Sequence, residues 1–310
     1  MSEKTNISAG SNRKPRIGLA LGSGSARGWA HVGVIRALEQ AGIRPDLVCG
    51  TSIGALVGAA YAAGELDRFE QWLLGLGITD VLSFMDVHLN GGVIKGERLM
   101  AFFRHNFIDR PVDELNMPFA AVATALHSGA EVWLREGSTI EAVRASIALP
   151  VLFSPVVHEG RMLVDGGLVN PVPVSLARAM GADVVIAVDL SFDILGRHLH
   201  EERKPEMPAN EASEWMRKLQ ENLSAFMPAR PEAEPRVPSM LDVVASSINI
   251  MQVRISRSRM AGDPPDLIVT PRLSHLGLLD FHRAQEAMDE GRRAVEAVLP
   301  NLHLLLDEFQ

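Results

Sequence analysis

A chain of 310 residues, 47% apolar and 22% charged, is long enough to bury a large core and has the make-up of a soluble enzyme with one principal domain. Its formal net charge of −8 leaves no protein-wide positive field, which argues against nucleic acid as a partner. The one cysteine, Cys49, excludes an intramolecular disulfide and fits a reduced, cytoplasmic setting.

Residues 1–15 are polar, lack the apolar core of a signal peptide and read as a disordered tail. The apolar run 17–21 predicts a strand. A glycine-rich turn follows, then a helix over about 28–41 with Trp29, Val32, Ile35 and Leu38 on one stripe and Gly42 as its stop, then a strand over 46–49. That succession is a βαβ unit with parallel strands. The window 47–64 is apolar enough to raise a transmembrane helix, but Gly50-Thr51-Ser52 and its many glycines and alanines make it a strand, a turn and a buried helix. Helices are expected after Ser52, over 67–76 and over 97–107. Strands or hairpin pieces are expected over 119–126, 131–134, 156–164 and 184–188. Over 191–240 prolines and charges accumulate around one helix, 211–226, marking a surface excursion. A strand over 267–270 and a closing helix capped by Asp280 complete the domain over 241–310. The alternation predicts an α/β sandwich with a mixed sheet.

Gly50-Thr51-Ser52-Ile53-Gly54 has the form of a nucleophile elbow, with a strand before, a helix after, and glycines that let a tight turn present the serine. The string recurs by chance, so its context carries the weight. Gly22-Ser23-Gly24-Ser25-Ala26-Arg27-Gly28 joins the first strand to its helix, where backbone N–H groups can converge on an anion. A dinucleotide-binding loop needs glycine at the position of Arg27, whose bulk opposes the close helix–strand packing. An oxyanion hole suits the loop better, because parallel strands one and two bring it and Ser52 to the same sheet edge. Gly22, Ser23, Gly24 and Ser25 form that candidate hole, with the amides of Gly24 and Ser25 as the leading donors. Arg27, at a helix start, orders the loop, contacts a phosphate or makes only surface contacts.

These two motifs, one βαβ apart, are followed in order by Ala145-Ser146-x-Ala148-Leu149-Pro150, Phe153-x-Pro155-Val156, Asp165-Gly166-Gly167 and Asn170-Pro171-x-Pro173. The series resembles the patatin-like phospholipase family, in particular its bacterial branch related to the catalytic domain of neuropathy target esterase. The likeness covers about residues 16–190. Ser23 and Ser25 stand where many members have glycine, and Ala125 where relatives often have aspartate. The resemblance implies a Ser52–Asp165 dyad positioned by Gly28, Gly50, Gly54, Gly166 and Gly167, in a three-layer α/β/α sandwich with a mixed, mainly parallel sheet. It implies a lipid or fatty-acyl ester substrate and no cofactor or metal. Read without it, Asp165-Gly166-Gly167 is a turn in which aspartate bonds its own backbone.

Two rivals remain. A Ser–Asp–His triad would take Asp189 as acid and His198 or His200 as base, although those histidines fall in the charged excursion. A nucleotide- or phosphate-binding regulatory protein would use the glycine loop without hydrolysis. The helix over 211–226 carries Trp215, Met216, Leu219, Leu223 and Phe226 as an apolar stripe suited to core packing, a cover over the site or peripheral membrane contact.

Overall fold

The computed structural model describes residues 14–77, 79–80, 97–106, 110–150, 152–193 and 240–309. The expected tail falls almost wholly outside them, and the helix over 211–226 entirely so. Strand β1 (Ile17–Leu21) passes through a 3-10 turn (Ser25–Trp29) into α1 (Ala30–Gln40) and β2 (Leu47–Thr51). Helices α2 (Ile53–Ala62), α3 (Leu66–Leu74) and α4 (Glu97–Asn106) lead to β3 (Phe119–Ala125), β4 (Glu131–Leu134) and α5 (Thr139–Ser146). Then come β5 (Val156–His158), β6 (Arg161–Asp165), α6 (Val174–Ala179), β7 (Val184–Val188), α7 (Met240–Gly262), β8 (Leu267–Val269) and α8 (Ala284–Asp307).

The inner strands are apolar because both of their faces are covered. Along β1, Ile17, Leu19 and Leu21 join one core cluster while Ala20 joins the other. Val48 of β2, Ala121 of β3 and Ile186 of β7 fall on the first side, and Cys49, Val122 and Val185 on the second. This period-two sorting builds the three layers. The first cluster is closed by side chains of α1 to α5 and α8, the second by those of α6 with Met260 of α7 packed against it. The described strands form one mixed sheet in the order β5-β6-β3-β2-β1-β7-β8, with β4 also pairing β3. Its centre, β3-β2-β1-β7-β8, is parallel, and β4, β5 and β6 run antiparallel to their neighbours.

Three local readings change. The start of the first expected helix is the 3-10 turn, and α1 begins at Ala30. Asp280 does not cap α8, which starts at Ala284 after Arg283; it accepts from the Gly277 amide at 2.8 Å and pairs with Arg283 at 3.3 Å. Helices α5 and α6 were not anticipated. The first had a readable signal, since Ser138 precedes Glu141 by three and its hydroxyl accepts from the Glu141 amide at 3.3 Å.

The pairing around β3 positions the site. On one edge of β3, Thr51 of β2 lies opposite Val122, and on the next residue Asp165 of β6 lies opposite Ala123. Because β4 occupies the other edge at Ala123 and Thr124, β6 must take up the edge that β2 leaves. The two strands therefore meet head to head, carboxyl end to carboxyl end.

Candidate active site

Ser52 falls between the last residue of β2 and the first of α2, at φ 57° and ψ −123°. A non-glycine residue is strained there by about 1–3 kcal/mol, and the turn survives because its surroundings leave no alternative. A Cβ on Gly50 would overlap the Gly54 carbonyl group, and one on Gly54 would overlap Leu21 O and lie 2.7 Å from Gly22 O. The elbow thus needs glycine on both sides for space. From below, the wholly buried Ser146 accepts from the Ser52 amide at 2.8 Å and donates its own hydroxyl to Val122 O at 2.6 Å. Ser146→Ala removes that acceptor from the strained amide. We expect a loss of about 1–3 kcal/mol of stability and a lower kcat, read from thermal melts and ester turnover.

Asp165, the last residue of β6, is fully buried. Its amide donates to Ala148 O at 2.9 Å, and its carbonyl accepts from the Thr124 hydroxyl at 2.8 Å. One carboxylate oxygen, Oδ2, accepts from Ser52 Oγ at 2.5 Å, and the other, Oδ1, from the Gly167 amide at 2.7 Å. Burial pushes the carboxyl up to about 6, against the opposing pull of the hydrogen bonds from Ser52 and Gly167. Such a group can take a proton and return it near neutral pH. Gly166 and Gly167 serve by lack of bulk: a Cβ on the first would overlap Val122 O, and on the second the amide of Gln252. The turn reading of Asp-Gly-Gly and the contact with Ser52 thus hold together.

The glycine loop lies against the elbow, since a Cβ on Gly28 would overlap the side chain of Ile53. Within it the amides divide. Gly22 donates to Val188 O at 3.1 Å and Ser23 to Pro171 O at 2.8 Å, so these two of the four expected oxyanion donors tie the loop to the fold. Among the described residues, the amides of Gly24 and Ser25 have no acceptor.

The far side of the loop is held by residues 276–281. Ser25 Oγ and the Ala26 amide donate to Leu278 O at 2.6 and 3.1 Å, Arg27 Nε to Leu276 O at 2.9 Å, and Trp29 Nε1 to Phe281 O at 3.0 Å. Arg27 is buried with its Nε on the Leu276 carbonyl, so it is placed to order the loop. We expect Arg27→Met to lower kcat on the order of tenfold to a hundredfold with KM little changed, in steady-state kinetics on a short-chain ester. His31 supports the loop from within: Nε2 donates to Gly22 O at 2.8 Å, and burial lowers the ring to about 4, so it stays neutral. Gln252 of α7 touches both halves of the site, accepting from Ser23 Oγ at 3.4 Å and lying against Gly167. Sequence reasoning missed His31, Ser146 in this role, and Gln252.

The triad rival finds no support in the placement of its acid. The Asp189 carboxylate accepts from the Ser191 amide at 2.9 Å and hydroxyl at 2.6 Å, closing the turn after β7. His198 and His200 lie outside the described residues. Among the described residues, no group of three His, Cys, Asp or Glu side chains is placed to hold a metal ion, and no helix is long and apolar enough to cross a membrane.

Comparison with known proteins follows the same lines. Residues 19–178 match the family model described as patatin-like phospholipase. The chain is similar to an uncharacterized NTE family protein of Mycobacterium tuberculosis, 31% identical over 344 residues that cover 95% of this chain and 94% of that protein. It is 36% identical to human patatin-like phospholipase domain-containing protein 6 over 56% of this chain and 13% of that one. It is 35% identical to lysophospholipase nte1 of Aspergillus fumigatus over 56% of this chain and 12% of that one. Among solved structures, VipD from Legionella pneumophila shares the fold, with a TM-score of 0.52 at 14% identity, covering 92% of this chain and 67% of that one.

Proposed function

The chain belongs to the patatin-like phospholipase family, and we propose that it is a serine acyl hydrolase that cleaves fatty-acyl esters of phospholipids or lysophospholipids through Ser52 and Asp165. The observation that carries this reading is the 2.5 Å hydrogen bond from Ser52 Oγ to the buried Asp165 carboxylate, at a strained turn beside amides without acceptors. The similarity to a fungal lysophospholipase supports the substrate class.

In the acylation step Asp165 takes the hydroxyl proton as Oγ bonds to the ester carbonyl carbon. The carbonyl oxygen gains the charge and is met by the Gly24 and Ser25 amides, the narrowed oxyanion hole. Collapse of the tetrahedral adduct breaks the ester C–O bond, and the proton passes from Asp165 to the departing alcohol oxygen. Water then gives its proton to Asp165 while its oxygen attacks the acyl-serine, and the fatty acid leaves as Ser52 is reprotonated. A carboxyl held near 6 suits both halves of this cycle.

The test is labelling by a fluorophosphonate probe, with the adduct located by mass spectrometry in wild type and Ser52→Ala. A single adduct on Ser52, lost in the variant together with turnover of a soluble short-chain ester, is the expected result. A folded wild type that stays unlabelled, or that labels elsewhere, would overturn it.

A further inference from the structure

Helix α7 has two unlike faces. Inward, Gln252 reaches the dyad turn, Val253 and Ser256 are buried, and Arg259 donates to Glu131 at 2.7 Å, so the helix is fixed in rotation beside the site. Outward, Val243, Ile250 and Met251 are 46%, 49% and 48% exposed. Arg254 and Arg257 are also exposed, one and two turns beyond Ile250 on the same stripe. Neither arginine has an ionic partner among the described residues. From residue 243 to residue 262 the helix carries three arginines and no acidic residue, within a chain whose net charge is −8. At the same carboxyl edge of the sheet, Phe192 is 59% exposed, two residues beyond the Leu190 that packs against Gly24.

An exposed stripe of large aliphatic groups next to isolated cations is ill suited to water alone. It matches the boundary of a lipid layer, where apolar tips enter the acyl region and guanidinium groups meet phosphate. From these placements we infer that the outer face of α7 docks the protein on an anionic lipid surface, with Ile250 and Met251 inserted and Arg254 and Arg257 on headgroup phosphates. The inference rests on the reading of the site as a lipid acyl hydrolase and deepens it. Substrate would be taken from the same surface, because the opposite face of this helix touches Ser23 and Gly167. The charge asymmetry selects a negative lipid surface over a neutral one, because the two exposed arginines carry no ionic partner among the described residues.

The experiment measures co-sedimentation of full-length Ser52→Ala, which leaves lipid intact, with phosphatidylcholine vesicles with and without phosphatidylglycerol. Binding is expected to need phosphatidylglycerol and to weaken with added salt. Arg254→Glu/Arg257→Glu should weaken it by about tenfold or more, and Ile250→Ser/Met251→Ser should weaken it on the same vesicles. In the Ser52 background both double variants should turn over a soluble short-chain ester as wild type does, and keep its melting temperature. Equal binding by the charge-reversed protein, or equal binding to neutral vesicles, overturns the inference. So does unchanged vesicle binding with an altered mass in light scattering, which would make this face a contact between copies. Failure of wild type to cleave the soluble ester would instead defeat the hydrolase reading and leave the vesicle result to stand on its own.

Discussion

Asp165→Asn should reduce ester turnover by about two to four orders of magnitude while making the folded protein more stable at neutral pH. The catalytic loss follows because an amide at this position can accept the Ser52 hydrogen bond but cannot take its proton. The stability gain follows from burial. The folded carboxyl is raised to about 6, above its unfolded value of about 3.9, so the folded state holds the proton more tightly. Stability from this group is then fully present below about pH 4, falls as the pH rises through 6, and is absent above it. The difference amounts to about 3 kcal/mol, which is the largest gain the neutral side chain can deliver at pH 8. Thermal melts of the two proteins from pH 4 to 8 should converge at the acid end and separate by several degrees at the alkaline end. The wild-type rate should itself fall as the pH drops below about 6, because the base becomes protonated. A variant less stable than wild type at pH 8 would mean that leaving two donors, Ser52 and Gly167, to one amide oxygen costs more than the buried charge does.

Gly54→Ala should cost about a hundredfold or more in kcat although it leaves both members of the dyad in place. The added methyl would overlap Leu21 O and lie 2.7 Å from both Leu21 C and Gly22 O, all backbone atoms. Leu21 cannot give way, since β1 is paired along its length with β2 on one side and β7 on the other. The start of α2 must shift instead, carrying Ser52 away from the Gly24 and Ser25 amides. Loss of one oxyanion donor lowers kcat by about a hundredfold to a thousandfold, and a displacement of about an ångström has a similar effect. Slower probe labelling with a little-changed KM would be the signature, alongside a stability loss of about 1–3 kcal/mol. Normal turnover by this variant would rule out the glycine loop as the oxyanion hole.

The parts of this molecule that sequence revealed are those set by local pattern. The pieces 131–134 and 184–188 fall where they were expected, the second marked by an unbroken apolar run because burial on both faces leaves that mark directly. Ser52 and Asp165 stood out through ordered motifs, and their meeting needed only the family likeness. What stayed hidden depends on distant partners. Gly24 and Ser25 were already the leading donors of the loop, but the acceptors that take the Gly22 and Ser23 amides, Val188 and Pro171, lie far along the chain. Gln252 lies 229 residues from the serine it touches, and nothing near it in the chain hints at a site. His31 reads as one more residue of an amphipathic helix, and only its burial beneath Gly22 gives it a task. Helix α6, six residues long, is too short for a periodic signal.

The head-to-head meeting of β2 and β6 also sets a schedule for synthesis. Ser52 leaves the ribosome 113 residues ahead of Asp165, and Ser25 leaves 253 residues ahead of the carbonyl that anchors it. A nascent chain therefore displays Ser52 without its carboxylate partner until residue 165 has been made. The glycine loop gains its anchors only when residues 276–281 have been made, so truncated products of interrupted translation would carry the elbow without an anchored loop beside it.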